Sequence, residues 1–151
     1  IGNLTRAMPL LDTAGMPDPK VPALDLPATV KVAVEEILQG LKASKSVSDH
    51  IALSTSKKVF RLVCEGDNQN RVELELGKKQ LEKLDSPEEQ TSLFSLEYFT
   101  LMVGSLAKDR ILNISLGSDL PVRITADLAV DDLTGAQGEV TFLLAPRIDR
   151  E

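Results

Sequence analysis

Between residues 24 and 144 one succession of hydrophobic patterns occurs twice: a strand, an amphipathic helix and three further strands. The first copy opens with Leu24–Val32, where Leu24, Leu26, Val30 and Val32 share a strand face. Val34, Ile37, Leu38 and Leu41 then recur at the i, i+3, i+4, i+7 spacing that makes one apolar stripe on a helix. Strands follow at Ile51–Thr55, Val59–Glu65 and Arg71–Leu76, the last alternating Val72, Leu74 and Leu76 with Arg71, Glu73 and Glu75. A polar stretch, Gly77 to Glu89, leads to the second copy. Thr91–Phe94 is a short strand, and Ser95 is placed to cap a helix that carries Glu97 in its first turn and buries Leu96, Phe99, Val103 and Leu106. Ile111–Leu116, Val122–Leu128 and Glu139–Leu144 are the closing strands. This order predicts an α+β domain with both helices on one face of a curved, mainly antiparallel sheet.

Composition sets the limits. The chain is 42% hydrophobic but only 3% aromatic and has no Trp, so its core must be built from Leu, Val, Ile and Ala. No apolar run is long enough to cross a bilayer. The start, Ile1-Gly2-Asn3-Leu4, lacks the basic head and apolar segment of a signal peptide, and its lack of Met points to a longer parent chain. A single cysteine, Cys64, cannot form an internal disulfide, which suits a reducing cytoplasm. A net charge of −6 argues against a protein that holds nucleic acid by affinity alone, because such proteins need many cations to displace counterions. It leaves open a protein linked to DNA by topology.

Ahead of the doubled unit, Leu4–Leu11 reads as a strand. Residues 12–23, with Pro17, Pro19, Pro22 and Gly15, fit neither helical nor strand periodicity and form a semi-rigid connector. A domain boundary falls there. Four segments then carry a resemblance. They are Pro9-Leu10-Leu11-Asp12 with the connector and Leu26-Pro27-Ala28; Val47-Ser48-Asp49-His50-Ile51; Leu96-Glu97-Tyr98 with Met102-Val103; and Leu143-Leu144-Ala145-Pro146-Arg147-Ile148. In this order and spacing they resemble the DNA sliding clamps of the archaeal PCNA type.

The resemblance implies a clamp fold in three parts: residues 1–11 as the last strand of a preceding domain, 12–23 as an interdomain connecting loop, and 24–151 as the C-terminal clamp domain. It implies a processivity factor whose subunits close into a trimeric ring around double-stranded DNA. DNA polymerase, clamp loader, flap endonuclease and DNA ligase would be partners, each docking through a short hydrophobic motif, with no cofactor, no metal and no membrane. By the same resemblance, partner peptides would dock at Met16, Val21, Pro22, Ala145, Pro146 and Ile148. Lys42, Lys45, Lys108 and Arg110 would face DNA from the helices, although Glu35 and Glu36 dilute the first helix and Gly104 and Ser105 stand where the resemblance leads one to expect a basic residue in the second. Leu4, Arg6 and Met8 would pair with Arg71, Val72, Glu73, Leu74 and Leu76 of a neighbouring subunit.

The residues themselves offer nothing for catalysis. Ser48, Asp49 and His50 are triad residue types, but adjacent side chains diverge and cannot align nucleophile, base and orienter. His50 is the only histidine and reads as bonding locally at a strand start. Asp127, Asp131 and Asp132 lack calcium-loop spacing. Cys64 reads as core. Gly135 and Gly138 flank a hairpin. A checkpoint-type clamp, or an interaction module that never encircles DNA, are the alternatives.

Overall fold

The computed structural model describes residue 2, residues 5–130 and residues 132–148. Its elements in chain order are β1 (Ala28–Ala33), α1 (Val34–Ser44), β2 (His50–Thr55), β3 (Val59–Glu65), β4 (Arg71–Gly77), β5 (Lys83–Asp85), β6 (Gln90–Ser95), α2 (Leu96–Gly104), β7 (Ile111–Leu116), β8 (Val122–Val130) and β9 (Gln137–Leu144). The α+β class and the doubled unit hold. The strands, however, form two antiparallel sheets, ordered β5-β1-β7-β8-β9 and β4-β3-β2-β6, where the periodicity suggested one.

The division follows from an exchange. β1 leaves the three strands of its own unit and pairs with β7, Val30 opposite Ile114. β6 does the reverse and pairs with β2, Ala52 opposite Leu93. Each unit thus completes the sheet of the other. The helix starts obey the same symmetry: Val34 N–H donates to Arg110 O just before β7, and Leu96 N–H donates to Asp49 O just before β2, both at 2.9 Å.

The inward faces of both sheets and the two helices share one core, with Val30, Val32, Ile37, Leu41, Ile51, Phe60, Phe94, Phe99, Leu112, Ile114 and Ile124 fully buried. On α1 the stripe Val34, Ile37 and Leu41 is buried as the spacing requires. Gly40 belongs to that face because a methyl group there would lie 2.9 Å from Leu74 Cδ2. α2 buries Leu96, Phe99 and Val103, and Ser95 Oγ accepts the Tyr98 N–H at 3.5 Å. Cys64 is buried and its thiol donates toward His50 O at 3.2 Å.

Three expectations need correction. Residues 5–11 form no strand: they are exposed and enter neither sheet. Leu4, named with them, lies outside the described residues, as does Asp131. The first strand begins at Ala28, not at Leu24, since Pro27 cannot donate to a ladder. And α2 ends at Gly104, so Lys108 and Arg110 lie in the following loop.

Candidate functional site

The helix layer is the first surface to build. α1 has no side-chain cap at Ala33. Its leading donors are satisfied from the loop after α2, Val34 N–H by Arg110 O at 2.9 Å and Glu35 N–H by Lys108 O at 3.2 Å. Leu96 N–H on Asp49 O ties the start of α2 to the end of α1 in turn, so the two helices run antiparallel. The four predicted cations therefore divide. Lys42 and Lys45 stand at the C-terminal end of α1, while Lys108 and Arg110 stand beside its N-terminus. Lys42, Lys45 and Lys108 are exposed and Arg110 is half-buried. Between the two pairs the layer shows Glu35 and Glu97 in the first turns and the exposed side chains of Tyr98 and Leu101. A cleft of about 580 Å³, lined by Lys45, Asp49, Leu96, Glu97, Thr100 and Leu101 among others, opens where α1 ends and α2 begins.

The second surface lies along the outer edge of β6. Gln90 Oε1 accepts Ser118 N–H at 2.9 Å and Ser118 Oγ–H at 3.1 Å, and Ser92 Oγ donates to Gly117 O at 2.8 Å. These bonds hold the β7–β8 turn against the first half of β6. Leu26 and Pro27 pack on that turn: a methyl group on Gly117 would come within 3.4 Å of Leu26 Cδ2 and 3.3 Å of Pro27 Cδ. Further along, Arg147 N–H donates to Leu93 O at 2.7 Å, laying the C-terminal segment on the second half of the same edge. Leu26 and Pro27 thus pack on the turn that covers one half of the β6 edge, and Arg147 bonds to the other half.

The residues predicted for docking are not gathered so closely. Met16, Val21 and Ile148 are 62%, 73% and 73% exposed, and Pro22 and Ala145 are exposed as well. Pro146 is half-buried. The connector's turn is internal, with Ala14 N–H on Asp12 Oδ1 at 2.9 Å and Met16 N–H on Thr13 O at 3.0 Å. Gly15 sits there at φ +90°, where a side chain would be strained.

The third surface is β4, an edge of its sheet. Arg71 and Glu73 are exposed, Val72 and Leu74 half-buried and Leu76 buried, while Arg6 and Met8 are exposed on the arm of residues 5–11. The outer faces of β3 and β4 carry a ladder of opposite charges, with Arg61 Nε 2.6 Å from Glu75 Oε2, Arg71 Nη1 3.0 Å from Glu65 Oε1 and Arg71 Nη2 2.8 Å from Glu73 Oε2. These pairs leave the backbone edge of β4 as the feature open to a partner.

Periodicity missed one contributor. His50 is not a purely local group: its Nδ1 lies 2.5 Å from Asp49 Oδ1 and its Nε2 meets Arg147 Nη1. Only the adjacency of Asp49 and His50 could have hinted at this. Among the described residues no group of three or more His, Cys, Asp or Glu side chains is placed to hold a metal ion, and no helix is long and apolar enough to cross a membrane.

No protein-family model matches the chain. Individual relatives do. The DNA polymerase sliding clamp of Methanocella arvoryzae is 39% identical over 151 residues, covering 99% of this chain and 59% of the relative. That of Methanosarcina barkeri is 35% identical over 152 positions, covering 100% of this chain and again 59% of the relative. Among solved structures, the C-terminal region of FEN-1 bound to A. fulgidus PCNA superposes with a TM-score of 0.81 at 27% identity, over 93% of this chain and 55% of that one. PCNA from Thermococcus kodakaraensis gives 0.79 at 27% identity, over 92% and 55%. The chain spans well under two thirds of the length of the relatives it matches.

Proposed function

We propose that this chain, a homologue of the archaeal DNA polymerase sliding clamps with their fold, supplies the C-terminal domain and connecting loop of such a clamp. The observation that carries the reading is similarity along essentially the whole chain to proteins of that one description, joined to a fold of two interlocked units.

In this reading residues 1–11 are the last strand of a preceding domain, residues 12–23 the interdomain loop and residues 24–151 the second clamp domain. The full-length subunit closes into a trimeric ring around duplex DNA, the arm of one subunit pairing with the β4 edge of the next. Two features support the closure: residues 5–11 pair with no strand among the described residues, and β4 offers an edge. A ring holds DNA without tight binding, so a net charge of −6 and two small cation pairs on the helix layer are compatible with sliding. The chain works as a scaffold without catalytic chemistry, in the archaeal cytoplasm at the nucleoid. Polymerase, clamp loader, flap endonuclease and ligase dock by a short hydrophobic motif between the connector and residues 145–148, which raises their effective concentration at the primer end. The solved relative that carries a FEN-1 C-terminal region supports this class of partner.

The test is retention on DNA. The full-length subunit, loaded on nicked circular DNA, should stay bound at a salt concentration that strips ordinary non-specific binders, and should leave once the circle is cut. Equal loss from circular and linear DNA would sink the ring reading.

A further inference from the structure

Residues 145–148 form one side of the proposed docking groove, yet one backbone hydrogen bond, Arg147 N–H to Leu93 O, is a slender tie for a segment outside the strands. A second tie is present. His50 Nδ1 stands 2.5 Å from Asp49 Oδ1, a geometry in which the ring nitrogen donates to the carboxylate. That leaves Nε2 as the acceptor, and Arg147 Nη1 meets it from the C-terminal segment. Arg147 Nη1 also lies 3.8 Å from Asp49 Oδ2. A neutral imidazole therefore bridges a carboxylate and a guanidinium, each group filling a role the others need.

We propose that Asp49, His50 and Arg147 form a latch that holds residues 145–148 against β6 in the posture that a docking peptide meets. The proposal rests on the docking reading above and adds its regulation. The latch tolerates only the neutral ring. A proton on Nε2 removes the acceptor and sets one cation against another, so the segment is released and the groove loses one wall. Histidine is the side chain whose charge ordinarily changes between about pH 5 and 8. The neighbours leave that balance to the three residues. Glu65 of β3 lines a groove of about 500 Å³ beside His50 but is engaged by Arg71, while β6 contributes uncharged Thr91 and Leu93 to it.

Two readouts test this on the 151-residue chain: hydrogen exchange at the Arg147 amide, and binding of a peptide with the A. fulgidus FEN-1 C-terminal sequence. His50→Ala should speed Arg147 exchange by about tenfold or more, leave protection in β2 and β7 unchanged, and weaken the peptide by about fivefold as the wall loses its preorganisation. His50→Gln, whose amide can donate to Asp49 and accept from Arg147, should restore both. Acidification should loosen the wild-type segment and spare the Gln variant, a difference that a purely structural role would not produce. Unchanged Arg147 exchange in His50→Ala overturns the latch. Faster exchange with unchanged affinity overturns its link to docking. If the peptide perturbs no residue among 145–148 in the wild type, the docking reading and the latch's role fail together, and the continued response of Arg147 exchange tells that failure from the others.

Discussion

Two regions of this chain contain strand-like apolar patterns, and only one of them folds. In the body, Val30, Val32, Leu112 and Ile114 alternate with half-buried or exposed neighbours and are fully buried. In the arm, Met8, Leu10 and Leu11 are 67%, 97% and 83% exposed, without a ladder. Local preference does not separate them. The difference is that each body strand finds an edge within the chain, often in the opposite unit, whereas the arm finds none. Apolar alternation states that a segment can pair, while topology decides whether it does.

The largest expected effect sharpens this contrast from the body's side. Phe99 is fully buried where α2 meets the shared core. Phe99→Ala should cost about 3–5 kcal/mol, as core truncations that leave a cavity do. Urea unfolding followed by circular dichroism measures it. Because each unit completes the other's sheet, the loss should appear as one cooperative transition. Two separate transitions would show that the units are independent and the exchange of β1 and β6 is energetically idle.

A smaller effect is expected where backbone packs on backbone. A methyl group on Gly66 would sit 2.1 Å from Val47 O, so the turn leading to Asp67–Gln69 must move to admit any side chain. Gly66→Ala should destabilise by about 1–3 kcal/mol, the range for overpacking, while an alanine at Gly2, which has nothing within 4 Å, should be silent. Thermal melts of the two variants make the comparison directly.

Cys64 gives a pH-dependent difference. Burial pushes its thiol above the ordinary value near 9, helped by Asp49 and opposed by hydrogen bonding to Ser44 and Ser48. The folded state then holds that proton more tightly than the unfolded state does. The contribution is complete below the ordinary thiol range and is lost as pH rises from there through the folded value. Urea midpoints taken across this alkaline range should fall more steeply for the wild type than for Cys64→Ala. Parallel curves would show that the thiol is not held in its protonated form by the fold.

What could be read beforehand follows the same division. The stripes Val34, Ile37, Leu41 and Leu96, Phe99, Val103 announce their helices because periodicity within a few residues encodes them. The exchange of first strands was not legible, since a strand's partner leaves no mark on its own alternation. β5 escaped because one inward residue, Leu84, stands between charged Lys83 and Asp85. At the candidate site, the docking positions came from resemblance, and the structure adds two non-local contacts beside them: Leu26 packs at Gly117 of the β7–β8 turn, and Arg147 bonds to Leu93 of β6. Arg147 and His50 are 97 residues apart, a distance across which no spacing rule operates.

The smallest expected effect bears on the arm. Leu10 is 97% exposed, so Leu10→Ala should change the stability of the dilute chain by less than about 0.5 kcal/mol, as substitutions on an open surface do. Silence in dilute solution has two possible causes, an inert arm or an arm waiting for an edge. Concentration separates them. If residues 5–11 pair with β4 of another copy, apolar surface is buried only in the assembled form, and stability then depends on protein concentration. Sedimentation of the wild type should show self-association that rises with concentration, and Leu10→Ala should weaken it while the dilute-chain melt stays put. Deleting residues 1–11 should abolish the association altogether, since the donor strand is then gone. A wild type that remains monomeric at millimolar concentration would exclude pairing of the arm with β4. A Leu10→Ala variant destabilised in dilute solution would mean that the arm packs on its own body, and the contrast between the two regions would fall.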